Sequence, residues 1–208
     1  NKFDPSNNNL VLGSGNEFKD SNENIVAGSG NKFDASDKNG VLGDGNEFKG
    51  SDENIVVGSG NKFANGSNFN NVAGNTNMFA ASSSNNVAGN SNEFANGSDE
   101  NNVVGNTNKF ESSSKNTVVG NANELANGSN KNVVAGSANK FNHSTDNTVV
   151  GVENTLTNDS NSNVVVGYKN SLDQSSNNTV LGYNNSLDPS SGNTVIGWDN
   201  TLTDTNNS

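Results

Sequence analysis

Apolar positions in this chain are sparse and strictly spaced. A Val lies two residues after an Asn, a Gly four after it, a second Asn seven after it, and Phe or Leu two residues further on. The sentence N-x-V-x-G-x-x-N-x-[F/L] runs from Asn116 through Val118, Gly120 and Asn123 to Leu125, and the first Asn recurs at 9, 24, 39, 54, 70, 85, 101, 116, 132, 147, 163, 178 and 193. That makes thirteen full copies, with Asn1, Lys2 and Phe3 as the tail of another. A period of 15 or 16 residues is too short for a helical repeat and fits one turn of a β-solenoid. The expected fold is therefore all-β, a parallel β-solenoid of 13–14 coils with two short strands per coil, forming one repeat domain over 1–208.

Alternate residues of a strand face opposite ways, so parity sorts the positions. In the second strand the neighbours of Phe are often charged, as with Lys2 and Asp4 or Glu17 and Lys19. Those charges point out, which turns Phe and its Asn inward. The same logic turns Val11 to Val195 inward, with Asn9 to Asn193 stacked as a ladder at a corner. Inward Asn side chains satisfy corner backbone groups. A Ser in each turn, from Ser6 to Ser190 with Thr205 last, forms a similar row. The Gly of each copy is expected at a corner with positive φ.

Two-turn units span 1–30, 31–60, 61–91, 92–122, 123–153 and 154–184, with a partial unit at 185–208. From residue 61 the unit lengthens by one residue, always just before the Ser. The insertion reads Asn65-Gly66, Asn96-Gly97, Asn127-Gly128 and Asn158-Asp159, which predicts one roomier exposed corner with positive φ.

The two outward faces differ. On the second strand, Lys2, Glu17, Lys32, Glu47 and Lys62 alternate in sign, and Asp4, Lys19, Asp34 and Lys49 alternate beside them. This reads as a solvated face whose exposed ion pairs contribute a few tenths of a kcal/mol each. On the first strand, the residue after each Val is always apolar: Leu12, Ala27, Leu42, Val57, Ala73, Ala88, Val104, Val119, Ala135, Val150, Val166, Leu181 and Ile196. The residue before it is Leu10, Ile25, Gly40, Ile55, Asn71, Asn86, Asn102, Thr117, Val133, Thr148, Val164, Thr179 and Thr194. An exposed apolar side of this extent marks an interaction surface. It is expected either to bind an ordered surface or to be covered by another copy.

Composition sharpens this. Only 28% of residues are hydrophobic, which outside a repeat would suggest disorder, but periodic stacking collects them. A net charge of −11 argues against nucleic acid and anionic membranes as partners. No stretch approaches the roughly 18 apolar residues of a spanning helix, so no membrane insertion is expected. With no Cys, disulfides and thiolate metal sites are excluded. No signal peptide is evident and there is no initiator Met, as in a mature secreted form or an excised piece. An extracellular or cell-surface location is the expectation.

The residues offer little chemistry. The single His143 has no second imidazole to share a metal, so neither catalytic nor metal-binding residues are expected. Corner carboxylates such as Asp52 and Glu53 read as solvated. Gly-Ser-Gly at 13–15, 28–30 and 58–60 shares composition with phosphate loops but precedes no helix. The chain is not expected to be an enzyme and needs no cofactor. Glycosylation sequons at Asn65, Asn96 and Asn127 coincide with the roomy corner. Tyr168, Tyr183 and Trp198 follow the Gly at a spacing of 15 and read as an aromatic stripe for packing or end-capping, with carbohydrate stacking as the alternative.

The repeat, as in Asn116–Leu125, resembles the x-x-N-x-V-x-G-x-x-N-x-V-x-G repeat of grass ice-recrystallisation-inhibition proteins. That resemblance implies a left-handed β-roll with inward Asn and Val ladders and one flat ice-binding face. The outward pattern matches best at Thr117/Val119, Thr148/Val150, Thr179/Leu181 and Thr194/Ile196. Carried along the same strands, the implied face also takes in Leu12, Val57, Val104, Val133, Ala135, Val164 and Val166. The chain also resembles, more locally, the head domains of trimeric autotransporter adhesins, through Asn193 to Gly197. That second resemblance implies a structural or adhesive protein whose apolar row is buried in a trimer or filament.

Overall fold

Each repeat places one strand at x-V-x and one at x-[F/L]-x, because at these two places in every copy an apolar side chain recurs between two that can meet solvent. In the computed structural model, which describes residues 1–207, those stretches are the strands of a parallel β-solenoid of about 14 turns, with no helix among the described residues. The chain divides into two compact units, Asn1–Asn106 and Thr107–Ser208.

The first unit begins with β1 (Lys2–Asp4), β2 (Leu10–Leu12), β3 (Glu17–Lys19), β4 (Ile25–Ala27), β5 (Lys32–Asp34), β6 (Gly40–Leu42), β7 (Glu47–Lys49) and β8 (Ile55–Val57). Odd strands pair in parallel with odd strands, and even with even, in register. Phe3 lies beside Phe18 and Val11 beside Val26, so identical side chains stack turn on turn. Phe18, Phe33, Phe48 and Phe63 are fully buried, with ring centroids 4.8 Å apart and planes within 2°. That spacing is the ordinary distance between paired strands. Phe3 is half exposed, with Phe18 covering one face of its ring. Val56, Val72, Val87 and Val103 form the second buried row.

The inward Asn residues build ladders. Asn46 Nδ2 donates to Asn31 Oδ1 at 3.0 Å and to the Gly58 carbonyl at 2.8 Å, while its own Oδ1 accepts from the Asn61 N–H and Nδ2, both at 3.0 Å. The other Asn row repeats this, as Asn39 Nδ2 does with Asn24 Oδ1 at 3.1 Å and the Ser51 carbonyl at 3.0 Å. Ser36 Oγ accepts the Ser51 N–H at 3.1 Å and donates to the Asp34 carbonyl at 3.0 Å. Among the described residues no buried side-chain polar atom lacks a partner. A thin core is viable on this basis, because an unmatched buried amide would cost about 1–3 kcal/mol.

The second unit repeats the plan with longer strands. Three-residue Thr117–Val119 gives way to five-residue Val133–Ser137, Thr148–Val152, Val164–Tyr168, Thr179–Tyr183 and Thr194–Trp198. The recurring Gly is therefore not always a corner: Gly136, Gly151, Gly167, Gly182 and Gly197 lie inside these strands. They still hold φ between 125° and 146° or just above, with Gly182 at 148°. The core row passes from Phe141 to Leu156, Leu172 and Leu187, all fully buried.

The inserted corners behave as the Asn-Gly sequence requires. Asn65 and Gly66 have φ of 57° and 81°, and Asn127 and Gly128 have 52° and 79°. Asn158 and Asp159 keep the same shape at 51° and 66° without a Gly.

Candidate functional site: the outward face of the Val strands

Two side chains per turn leave each Val strand toward solvent. In the first unit, the row that includes Leu12 is aligned residue for residue through Ala27 and Leu42 to Val57. It continues through Ala73 and Ala88 to Val104. Leu10, Ile25 and Ile55 stand beside it, and all of these large side chains are about half exposed or more. Further along, the neighbouring row becomes Asn71, Asn86 and Asn102, whose amides bond one another at 2.9 Å.

The second unit carries a different chemistry on the same kind of strand. Register aligns Thr117 with Val133 and Thr148, and then Val164, Thr179 and Thr194. Val119, Ala135, Val150, Val166, Leu181 and Ile196 align beside them. Apart from Ala135, which is half-buried, all of these residues are exposed. Among the described residues the hydroxyls of Thr117, Thr148, Thr179 and Thr194 have no protein partner, unlike the mutually bonded Asn71 and Asn86. Strand geometry sets the array: about 4.8 Å between turns and about 7 Å between the two residues of one strand.

Neither unit places a charge in these rows, although the chain carries 33 charged residues, 11 basic and 22 acidic. The odd-strand face is the contrast. There Lys2, Glu17, Lys32, Glu47 and Lys62 lie in one register, and Lys19 pairs with Asp34 at 3.3 Å.

A third outward row went unassigned to this face in the sequence. Because the later strands run through their Gly, Val152, Tyr168, Tyr183 and Trp198 stand on the same sheet as the Thr and Val rows. The signal was present, since the alternation continues as x-V-x-G-x. Tyr168 and Tyr183 stack at 5.6 Å with planes 7° apart, so their ring faces turn to each other. That arrangement favours packing over stacking of a sugar on an open ring face. Lys169 Nζ lies 4.9 Å from the Tyr168 ring centroid and 3.7 Å from Glu153 Oε2, beside the third row. Its pKa is raised, first by hydrogen bonding to Tyr168 and then by the nearby charges.

Asn65, Asn96 and Asn127 all lie exposed on the roomy corner, away from these rows. The serines of the three sequons, Ser67, Ser98 and Ser129, are buried and donate to the carbonyls of Ala64, Ala95 and Ala126 at 2.7 Å. His143 Nδ1 lies 3.4 Å from Asp159 in an exposed pair. Among the described residues no group of three or more His, Asp or Glu converges on a point that would suit a metal ion. No family model matches this chain, nor does any curated protein or solved structure.

Proposed function

We propose that the chain binds ice through the outward face of its Val strands, with the Thr/Val rows of the second unit as the main contact. The observation that carries this reading is the absence of charge from an exposed, register-locked array whose Thr hydroxyls have no protein partner. Such hydroxyls are free to bond lattice water, and the methyl groups of Thr, Val and Ile exclude water that does not fit. The strands are held by ladders on the inward side, so little ordering cost attends binding. An ice surface offers no charge to pair, which suits rows where none is present. Ice first grows outside cells, so an extracellular location accompanies the proposal, together with a non-enzymatic role. The test is ice growth in the presence of the purified chain. Shaped crystals and suppressed recrystallisation are expected, and unaltered crystal growth at the highest soluble concentration would remove the reading.

A structural or adhesive role has one observation of its own, the Leu and Ile side chains of the first turns, which are too bulky and too apolar to share the Thr/Val chemistry.

A further inference from the structure

The first four turns carry size information that the rest of the face lacks. On β4 a large residue precedes a small one, Ile25 then Ala27. On β6 the order reverses, Gly40 then Leu42. These strands are adjacent, with Ile25 beside Gly40 and Ala27 beside Leu42. The result is a checkerboard of two knobs and two holes. The flanking strands are large at both positions, Leu10 and Leu12 on β2 and Ile55 and Val57 on β8. Together the four strands line a shallow apolar depression of about 430 Å³.

We propose that this patch is a homodimer interface, in which two copies meet face to face about a two-fold axis parallel to the strands and midway between β4 and β6. A half-turn about that axis sets Ile25 over the partner's Gly40 and Leu42 over the partner's Ala27. Each knob meets a hole. Leu10 meets the partner's Ile55, and Leu12 meets the partner's Val57, as in ordinary packing of two sheets about 10 Å apart. An interface of this kind is isologous, the commonest closed symmetry.

Charge and polarity select this occupant and this axis. No side chain in the patch is charged or able to hydrogen-bond, so its partner surface is apolar too, and the same patch on a second copy meets that need. Two chains of net charge −11 repel, which favours contact through the charge-free Val-strand face. The axis parallel to the strands pairs these four strands only with one another, β2 with β8 and β4 with β6, so none of Asn71, Asn86 and Asn102 faces the patch. An axis across the strands would instead press those amides against the partner's Ala73, the partner's Ala88 and the partner's Val104, stranding polar groups. Six large side chains at roughly 100 Å² apiece give about 600 Å² per copy, near the ~800 Å² per partner of standard interfaces. Because the area lies below that standard, dissociation at about the micromolar, weak end of the range is the expected outcome. This interface does not depend on ice binding, which draws on the second unit.

The test is sedimentation equilibrium of the full chain from about 1 to 200 μM, a range that brackets micromolar dissociation. A reversible monomer–dimer equilibrium is expected. Gly40→Ile sets a second large side chain against the partner's Ile25 and should weaken the dimer at least tenfold. A Cβ at Gly40 meets no atom within 4 Å, so the variant is expected to fold, which circular dichroism checks. Adding Ile25→Gly exchanges knob and hole and should restore dimerisation. A monomer at every concentration, a trimer, or a dimer indifferent to Gly40→Ile would overturn the proposal. So would rescue by Leu42→Gly in place of Ile25→Gly, which belongs to the axis across the strands.

Discussion

A Cβ placed on Gly151 would lie 1.8 Å from the carbonyl oxygen of Gly167, one turn away. Backbone, and not a movable side chain, occupies the space. Gly151 also has φ of 146°, where side chains are rarely tolerated. Gly151→Ala should therefore cost about 3 kcal/mol or more. Gly30→Ala is the matched control. Its φ is 67° and its Cβ would meet nothing within 4 Å, so only the left-handed backbone penalty of about 1–2 kcal/mol applies. Thermal unfolding of the two variants should separate them clearly, and equal losses would refute the close-approach account.

The Asn ladder makes a second prediction. In Asn46→Asp the side chain loses both donors, and a carboxylate oxygen faces Asn31 Oδ1 and the Gly58 carbonyl in a fully buried site. Burial raises the pKa of such a carboxyl above its unfolded value. The variant therefore suffers most at neutral pH, by about 3–5 kcal/mol, and recovers part of this as pH falls through the raised pKa and the carboxyl regains a proton. Melting temperatures at pH 4 and pH 7 check it; a deficit that grows on acidification would contradict it.

Deletion of Gly66 should be tolerated. The turn before it closes the same corner with Gly50 alone between Lys49 and Ser51, and the strands on either side keep register across turns of both lengths. A loss within about 1 kcal/mol is expected, with the far-ultraviolet spectrum unchanged. Loss of cooperative unfolding would show that the extra residue is required.

Much of the fold was readable because the repeat fixes parity. Val118 and Leu125 are fully buried where alternation placed them, and Asn31 bonds Asn16 as a stacked inward amide must. The positive φ of Asn65 and Gly66 was readable from residue type and insertion point. Other features depend on distances between turns, which one turn's sequence does not contain. The approach of Gly151 to Gly167 is one, since φ alone seemed reason enough for Gly. The reach of the Thr179–Tyr183 strand beyond its Gly is another, and it moves Tyr183 from a corner onto the sheet that carries Thr179 and Leu181. The knob-and-hole pattern of Ile25, Ala27, Gly40 and Leu42 emerges only once register sets β4 beside β6. For the face itself, sequence showed which residues point outward. It did not show that the Thr148 hydroxyl lacks a protein partner while the Asn71 amide has one.

Ionisable groups are absent from the Thr and Val rows, so ice activity should be flat between about pH 5 and pH 9 and insensitive to moderate salt. Recrystallisation assays across buffers check this. A titration with a midpoint near that of a carboxylate or histidine would implicate groups outside the rows.

The most direct test of the ice-binding account compares one substitution on each outward face of the second unit. Thr148→Tyr adds bulk to the exposed Thr row, and Lys140→Tyr adds the same bulk to the strand Lys140–Asn142 on the opposite sheet. Both residues are exposed and neither side chain supports the core, so both variants should melt within about 0.5 kcal/mol of the parent. Recrystallisation inhibition should fall at least tenfold for Thr148→Tyr and stay at the parental level for Lys140→Tyr. Equal activity in both folded variants, or loss only in Lys140→Tyr, would contradict the assignment of the Val-strand face.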